Sequence, residues 1–479
     1  MTTQREHVAS PTDRVRLDPG AAALRTPAQA AIHLRDGARS RVAHTKRFRL
    51  AQLDAFDRML SEHRQDFLGA LAADLGKGDV EAQATELQIV QHEVDHARRH
   101  LEDWMRTRTV PSPFVLAPVT TTVTARPLGM VLVIAPWNYP VNLTLTPLVD
   151  AIAAGNTVVL KPSELAPATA ALLERLIPQY LDHRTVAVVT GGPEATTELL
   201  AQKFDHILYT GGERVGRIVY EAAARQLTPV TLELGGKCPV VVSDGDVTGI
   251  ARRLAYGKFM NAGQTCVAPD YVLAIGDIGN KLARALTKVI REFYGANPAE
   301  SKDYGRIINA HHVRRLAGLL EEGTVITGGA VDEDNRYVAP TIITGVGPES
   351  AVMQEEIFGP ILPILSVPTV DDALRFIAER PDPLAAYVFS ERSGVVKAFE
   401  DGVRAGAIGV NATNMHLAVP ELPFGGVGAS GIGAYHGKAG FDTFSQQRPT
   451  LSKSIRLDTL RMIYPPYGAA KSAVLRKML

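Results

Sequence analysis

Met130-Val-Leu-Val-Ile-Ala-Pro-Trp-Asn-Tyr-Pro140 begins as a short apolar run and breaks, at a proline, into a turn carrying an aromatic ring and a carboxamide. Four more short apolar stretches follow, at 157–160, 186–189, 207–209 and 230–232, with helix-length segments between them. Strand and helix alternating at this pace predict a parallel, doubly wound sheet whose ligands lie beyond the strand carboxyl ends. Those ends are where the unusual residues fall: Trp137 and Asn138, then Lys161-Pro-Ser-Glu164, then Gly211-Gly-Glu-Arg-Val-Gly216, then Glu233-Leu-Gly-Gly-Lys237.

Outward from this sheet, a second alternating set runs over 239–411, with strands expected near Val240, Tyr271, Ile342, Ile361, Ala386 and Ile408, and predicts a second α/β domain. Upstream, Leu53, Phe56, Met59, Leu60, Phe67 and Leu71 recur at helical spacing, as do Leu87, Val90, Val94, Leu101 and Trp104, so two long amphipathic helices are expected. Between them and the first sheet, Val119-Thr-Thr-Thr-Val-Thr-Ala125 alternates and is rich in β-branched residues, the pattern of an exposed strand or hairpin arm. Residues 1–26 mix charges with Pro, Ala and Gly and lack the apolar block of a secretory signal; they read as a disordered lead-in. The tail at 468–479 reads as a frayed terminus, with a membrane-surface anchor and a flap over a pocket as the other readings.

The whole chain has 479 residues, which at roughly 150 per domain suggests about three folding units. Its 51 basic side chains balance 51 acidic ones, which removes the general electrostatic case for a nucleic-acid or anionic-membrane partner. No segment approaches the ~20 apolar residues that span a bilayer. Cys238 and Cys266 are the only cysteines, too few for a disulfide framework and consistent with a reducing, cytoplasmic compartment. Any chemistry at sulfur is confined to these two.

Two motifs invite misreading. His92-Glu93-Val94-Asp95-His96 matches the HExxH zinc-protease pattern. Projected at 100° per residue, however, Val90, Val94, Ala97, Leu101 and Trp104 form one stripe, and His92 and His96 are expected on the opposite, solvent side; no metal site is predicted. Gly211 to Gly216 follows a strand as a phosphate loop would, but Arg217 and Ile218 stand where Lys and Ser or Thr are needed.

Four groups could carry chemistry. Cys266 lies in Asn261-Ala-Gly-Gln-Thr-Cys-Val-Ala-Pro269, where small neighbours let a substrate approach the sulfur and backbone N–H groups favour a thiolate, whereas Cys238 in its apolar run reads as structural. Glu233 ends a strand beside a side-chain-free turn. Asn138, held between two prolines, could donate its amide to a developing oxyanion, or simply form an Asx turn. Lys161 and Glu164 combine a cation and a carboxylate that could address ribose hydroxyls.

In this order the four resemble the aldehyde dehydrogenase superfamily, over nearly everything from residue 30 to residue 467. The matching motifs are the strand-end Pro-Trp-Asn, Lys-Pro-Ser-Glu, Glu233-Leu-Gly-Gly-Lys, Gly-Gln-Thr-Cys266 and Glu356-Ile-Phe-Gly-Pro360. Leu422-Pro-Phe-Gly-Gly-Val-Gly-Ala-Ser-Gly431, Tyr435-His-Gly-Lys438, Phe441-Asp-Thr-Phe444 and Tyr464-Pro-Pro-Tyr467 look like the class three fatty and aromatic aldehyde branch, including coniferyl aldehyde dehydrogenase.

The resemblance implies a cofactor-binding domain (27–118 and 129–233), a catalytic domain (234–420), and a small β-rich oligomerisation element (119–128 and 421–467) serving a homodimer. It implies Cys266 as nucleophile, Asn138 as oxyanion donor and Glu233 as general base. NAD, with NADP left open, would be held by Trp137, Lys161, Ser163, Glu164, Gly211, Gly212, Val215, Leu234, Glu356 and Phe358. Gly212 stands where the family often has serine, so the pyrophosphate contact there would be backbone only. The competing reading is a cofactor-independent cysteine esterase using the same thiol and base.

Overall fold

In the computed structural model, residues 26–462 and 464–478 are described, so the lead-in expected over 1–26 lies, apart from Thr26, outside the described residues. Two sheets carry the molecule. The first has six strands in the order Gly431–Ile432, Val230–Glu233, His206–Thr210, Met130–Ile134, Thr157–Lys161 and Val186–Val188, parallel except for the first pair. The second has seven, ordered Thr324–Thr327, Thr341–Thr344, Ile361–Val367, Tyr271–Ile275, Pro239–Val242, Ala385–Phe389 and Ala407–Val410, again parallel except for the first pair. The inner strands are continuous apolar runs because helices cover both faces: all of Met130–Ile134 and Pro239–Val242 is buried. Helix Asn142–Ala154, the first crossover, is buried on every side and stops at Gly155, whose φ of 89° lets its N–H close on the Ala151 and Ile152 carbonyls. The chain passes from one sheet to the other through residues 234–238.

The alternating stretch after Pro118 forms Thr120–Pro127, the middle of a separate three-stranded antiparallel sheet with Arg108–Thr109 and Ser445–Ser452. Of the described residues in the expected element 421–467, only Ser445–Ser452 joins that sheet. Gly431–Ile432 instead pairs with the strand ending at Glu233, and helix Gly437–Thr443 packs against Asn142–Ala154. The tail carries a helix, Ala469–Met478, in place of the frayed terminus expected there.

Three expectations need correction. The helix expected across Leu53 to Leu71 is two helices, Lys46–Glu62 and Arg64–Leu75, broken where His63 leaves helical geometry and its ring turns onto Asp66 at 2.9 Å. The next helix, Gln88–Met105, is entered through a π-helical turn at Gln83–Leu87. On it, only His92 of the HExxH motif's two imidazoles faces solvent; His96 is buried, and so is Glu93. The stripe argument located the first packed face but not a second, where residues 420–440 fold back: the Gly437 N–H donates to Glu93 at 2.7 Å, and Glu421 lies 3.6 Å from His96. Among the described residues no group of three or more His, Cys, Asp or Glu side chains is placed to hold a metal ion.

Candidate active site

A cavity of about 260 Å³ opens where the carboxyl ends of the six-stranded sheet meet the loops entering the seven-stranded one. It is lined by Trp137, Asn138, Gly211, Gly212, Glu233, Leu234, Cys266, Glu356 and Phe358, residues drawn from five separate stretches of the chain.

Glu233 is the last residue of its strand, in register with Thr210 on the neighbour. Its backbone is fixed by the Gly211 N–H donating to its carbonyl at 3.0 Å, and the Leu234 N–H donates to Ser430 at 3.0 Å. Its side chain is 2% exposed, and neither carboxylate oxygen has a hydrogen-bond partner. Burial pushes the Glu233 carboxyl well above the usual carboxylate range.

Cys266 is set by a strained turn. Asn261 (φ 52°), Ala262 (φ 50°) and Gly263 (φ 75°) are successively left-handed, a geometry costing on the order of 1–2 kcal/mol per non-glycine residue. Hydrogen bonds hold it: the Asn261 N–H donates to Glu81 at 2.8 Å, and its carboxamide donates to the Asn138 carbonyl at 2.7 Å and the Gln264 carbonyl at 3.1 Å. Gln264 in turn donates to Asn261 and Arg306 and accepts from the Ile308 N–H. Only glycine fits at 263, since a Cβ there would stand 2.2 Å from the Gly359 carbonyl oxygen. Cys238 is buried and its thiol donates to the Cys266 carbonyl at 3.3 Å.

The Cys266 thiol is pushed up, first by burial and then by the Glu356 and Glu233 carboxylates; the backbone N–H groups of Cys266 and Val267 pull the other way. The amides act in the direction the sequence suggests, but burial outweighs them, and the resting sulfur is a thiol. Asn138, 2% exposed, uses one amide N–H on the Gln264 carbonyl at 3.0 Å, and a carboxamide has two.

On the other wall, Trp137 stands edge-on to Phe358, with ring centroids 5.3 Å apart, and 5.2 Å from His312. Glu356 is held up at about 8 by burial and by Asp270, against the Gly236 N–H, Lys237 and Lys258. It leans so closely on the Gly-Gly turn that a Cβ on Gly235 would fall 1.9 Å from its Oε2. At Gly212 a Cβ would meet nothing within 4 Å, and the hydroxyl of Thr210 is buried without a partner. Open backbone at a helix start, partnerless buried oxygens and a flanking carboxylate form a donor set that suits a dinucleotide.

Lys161, Ser163, Glu164 and Val215 do not line this cavity. Lys161 is buried at the end of its strand, donating to the Pro162 carbonyl at 2.9 Å and to Glu164 at 3.3 Å, while Val215 packs on the core beneath the glycine turn. Conversely, sequence reading missed Thr210, His312 and Arg315, which do line it. The last two sit on helix Ala310–Gly318, which has no motif to mark it. Burial holds His312 down at about 4, so it is neutral, and Arg315 donates to the Ile357 carbonyl at 2.7 Å.

A second cavity, about 170 Å³, also reaches Cys266. Its walls are mainly apolar: Tyr139, Met260, Met415, Leu417 and Phe424 contribute, and the buried Tyr435 hydroxyl there has no partner. Cys266 and Leu143 are common to both cavities.

The chain matches the aldehyde dehydrogenase family model over residues 2–449. It belongs to the aldehyde dehydrogenase family. Membership makes it an NAD(P)-dependent oxidoreductase of aldehydes. Among similar proteins, mouse aldehyde dehydrogenase family 3 member A2 is 49% identical over 442 residues, covering 92% of this chain and 91% of the relative. The rat "aldehyde dehydrogenase, dimeric NADP-preferring" is 48% identical over 424 residues, 88% of this chain and 94% of the relative. Such relatives support the class three branch for this aldehyde dehydrogenase. A structure of Staphylococcus aureus AldH in a substrate-bound state superposes with a TM-score of 0.92 at 44% identity, covering 94% of this chain and 99% of that one.

Proposed function

We propose that this aldehyde dehydrogenase oxidises medium- or long-chain aliphatic or aromatic aldehydes, coniferyl aldehyde among the latter, with Cys266 as nucleophile, Asn138 as oxyanion donor and Glu233 as general base. The single observation that carries the reading is the position of Cys266, at the meeting of a cavity containing Glu233 and Asn138 with a second, more apolar one. An apolar aldehyde tail in the second cavity brings its carbonyl to the sulfur.

The Cys266 sulfur adds to the carbonyl carbon, and the second amide N–H of Asn138 steadies the resulting oxyanion, a contact whose removal costs about 10²–10³ in rate elsewhere. When bound, the nicotinamide supplies the acceptor for the hydride that leaves this carbon, so that a Cys266 thioester remains. Glu233, in its carboxylate form, takes a proton from water as the oxygen attacks the thioester; the C–S bond breaks, and carboxylic acid and thiolate separate. Burial raises both the thiol and the carboxyl, and in this mechanism each acts after losing its proton.

For the coenzyme, Glu356, Phe358, Trp137 and Leu234 would flank the nicotinamide ribose and ring. Gly211 and Gly212 would offer backbone to the pyrophosphate, with Arg315 adding a charge, and Val215 would lie beneath the adenine. Lys161, Ser163 and Glu164 would meet the adenosine ribose. The Glu164 carboxylate on Lys161 disfavours a 2′-phosphate and supports NAD; rotating it away would free Lys161 for NADP.

We also propose a cytoplasmic homodimer. The three-stranded sheet with its exposed strand Ser445–Ser452 supports pairing, as does the name of the rat relative. Both cysteines are free, which suits a reducing compartment, and among the described residues no helix is long and apolar enough to cross a membrane. No observation favours the cofactor-independent esterase.

A panel of aliphatic and aromatic aldehydes assayed with NAD and NADP in turn tests the reading. Stoichiometric reduced coenzyme and acid, with kcat/KM rising along the aliphatic series or with an aryl group, is the expected result. Preference for short polar aldehydes would overturn the substrate class.

A further inference from the structure

Outside the groups that touch the reacting carbon lies a fully buried ion pair that the chemistry above does not use. Lys77 Nζ is bonded to Glu86 Oε1, and both side chains are 0% exposed. Burying two charges costs several kcal/mol per ion before their attraction offsets it, and an apolar pair of the same volume often serves stability as well. Stability is therefore a poor account of why the pair is here, and its other contacts supply a better one.

Lys77 Nζ also donates to the Asn138 backbone carbonyl at 3.1 Å and sits 3.9 Å from the centroid of the Tyr139 ring. The second carboxylate oxygen of Glu86 accepts from the Val141 N–H at 3.1 Å and the Asn142 N–H at 2.9 Å, where helix Asn142–Ala154 begins. The ammonium thus grips the turn at residues 138 and 139, and the carboxylate grips it at 141 and 142. Charge-assisted hydrogen bonds of this kind are roughly twice as strong as neutral ones and directional. Glu86 reaches its position from the π-helical turn Gln83–Leu87, a distortion of the helix common at functional sites. The other grip on the Asn138 carbonyl comes from Asn261, in the turn that places Cys266. One carbonyl oxygen therefore ties the oxyanion donor both to the ion pair and to the loop of the nucleophile.

We propose that Lys77 and Glu86 form a positioning unit that fixes the Asn138 amide against Cys266. The inference rests on the reading of Asn138 as oxyanion donor, and the test separates the two. Lys77→Met/Glu86→Gln removes both charges of the pair at similar volume. It is made in the native background and in Asn138→Ala, and kcat/KM for one aldehyde, KM for the coenzyme and thermal unfolding are measured for each.

The expected result is a loss of kcat/KM of about 10- to 100-fold in the native background, with coenzyme KM within about twofold. Once the amide is gone its placement no longer matters, so the loss in Asn138→Ala should be at least fivefold smaller. Losses closer than that in the two backgrounds, with Asn138→Ala itself impaired, overturn the positioning role alone. An Asn138→Ala enzyme with native kcat/KM overturns the oxyanion reading and this inference together. Should the double replacement not fold, Lys77→Gln/Glu86→Gln, which keeps a donor and an acceptor without charge, is judged by the same fivefold ratio.

Discussion

The two sheets deliver their residues to the site from opposite directions. The six-stranded sheet presents Asn138, Thr210, Gly212 and Glu233 at or just beyond the carboxyl ends of its strands. The seven-stranded sheet presents Cys266 before Tyr271–Ile275, Glu356 and Phe358 before Ile361–Val367, and Leu384 before Ala385–Phe389, all on segments entering a strand. On the first side Thr210 and Glu233 are placed by the strands they end, and Asn138, four residues past its strand, is held as well by Lys77 and Asn261 on its carbonyl. On the second a residue is placed by loops that must be pinned, and the left-handed residues Asn261, Ala262 and Phe358 all lie there. The rule that open α/β sheets bind ligands at carboxyl ends describes only half of this site.

The sharpest way to break this division is at the thiol. Cys266→Ala should remove both the burst of reduced coenzyme and steady turnover, a loss on the order of 10⁴ or more for an obligatory nucleophile. Residual turnover anywhere near native would move the chemistry off the entering loop. The strand-end base should behave differently. Glu233→Gln is expected to keep the burst, because oxidation precedes hydrolysis, while steady-state kcat falls about 10²–10⁴-fold. A variant lacking the burst but binding coenzyme normally would give Glu233 an earlier role. Both the Glu233 carboxyl and the Cys266 thiol lie above their ordinary values and, in the proposed mechanism, act deprotonated, so the native rate should climb with pH. Glu233→Gln should lose the part of that climb belonging to thioester hydrolysis.

This division also explains what could be read from the chain. Strand-end residues were legible because an apolar run followed by Pro-Trp-Asn or Glu-Leu-Gly-Gly states its own place in a sheet. The double-layer architecture followed from the same alternation. Cys266 was findable by scarcity and by its small neighbours, but its raised thiol was not, since burial is a property of the assembled cavity. His312 and Arg315 gave no signal, because the helix bearing them reaches the site only through tertiary packing. Glu93 and His96 misled for a related reason: a helix can bury a second face when a segment more than 300 residues away folds onto it, and the Gly437 N–H on Glu93 does so across a separation of 344.

A smaller effect tests the seam between the sheets. Gly235 ends the six-stranded side, and Glu356 belongs to the other; a methyl at 235 would overlap the carboxylate. Gly235→Ala should displace Glu356 and raise coenzyme KM about 10- to 100-fold, with the fold intact, since shifts near 1 Å at a site can cost up to about 10². An unchanged coenzyme KM would mean that Glu356 is free to move aside and takes no part in holding the dinucleotide.

The smallest expected effect concerns what holds the edge of the six-stranded sheet. The carboxyl of the fully buried Asp150 lies near that of Glu93, Asp150 raised well above the carboxylate range by burial and then by Glu93, with Glu93 also raised by burial. The two carboxyls secure the returning chain: the His436 N–H donates to Asp150 at 3.2 Å, and the Gly437 N–H donates to Glu93 at 2.7 Å. A carboxyl whose folded pKa is raised contributes stability that is complete below its unfolded value, near 4, and is lost as pH rises through the folded one. The native protein should thus lose Tm on the alkaline side. Asp150→Asn keeps an acceptor for His436 but cannot titrate, so its Tm should fall less with pH and exceed the native value at pH 9. The shift should be a few degrees, since about 1 kcal/mol moves Tm by roughly 2–4 °C in chains of 150–250 residues and less in longer ones. Parallel Tm curves for the two proteins from pH 5 to pH 9 would mean that the pair titrates alike folded and unfolded, and that the edge strand Gly431–Ile432 is held by packing alone.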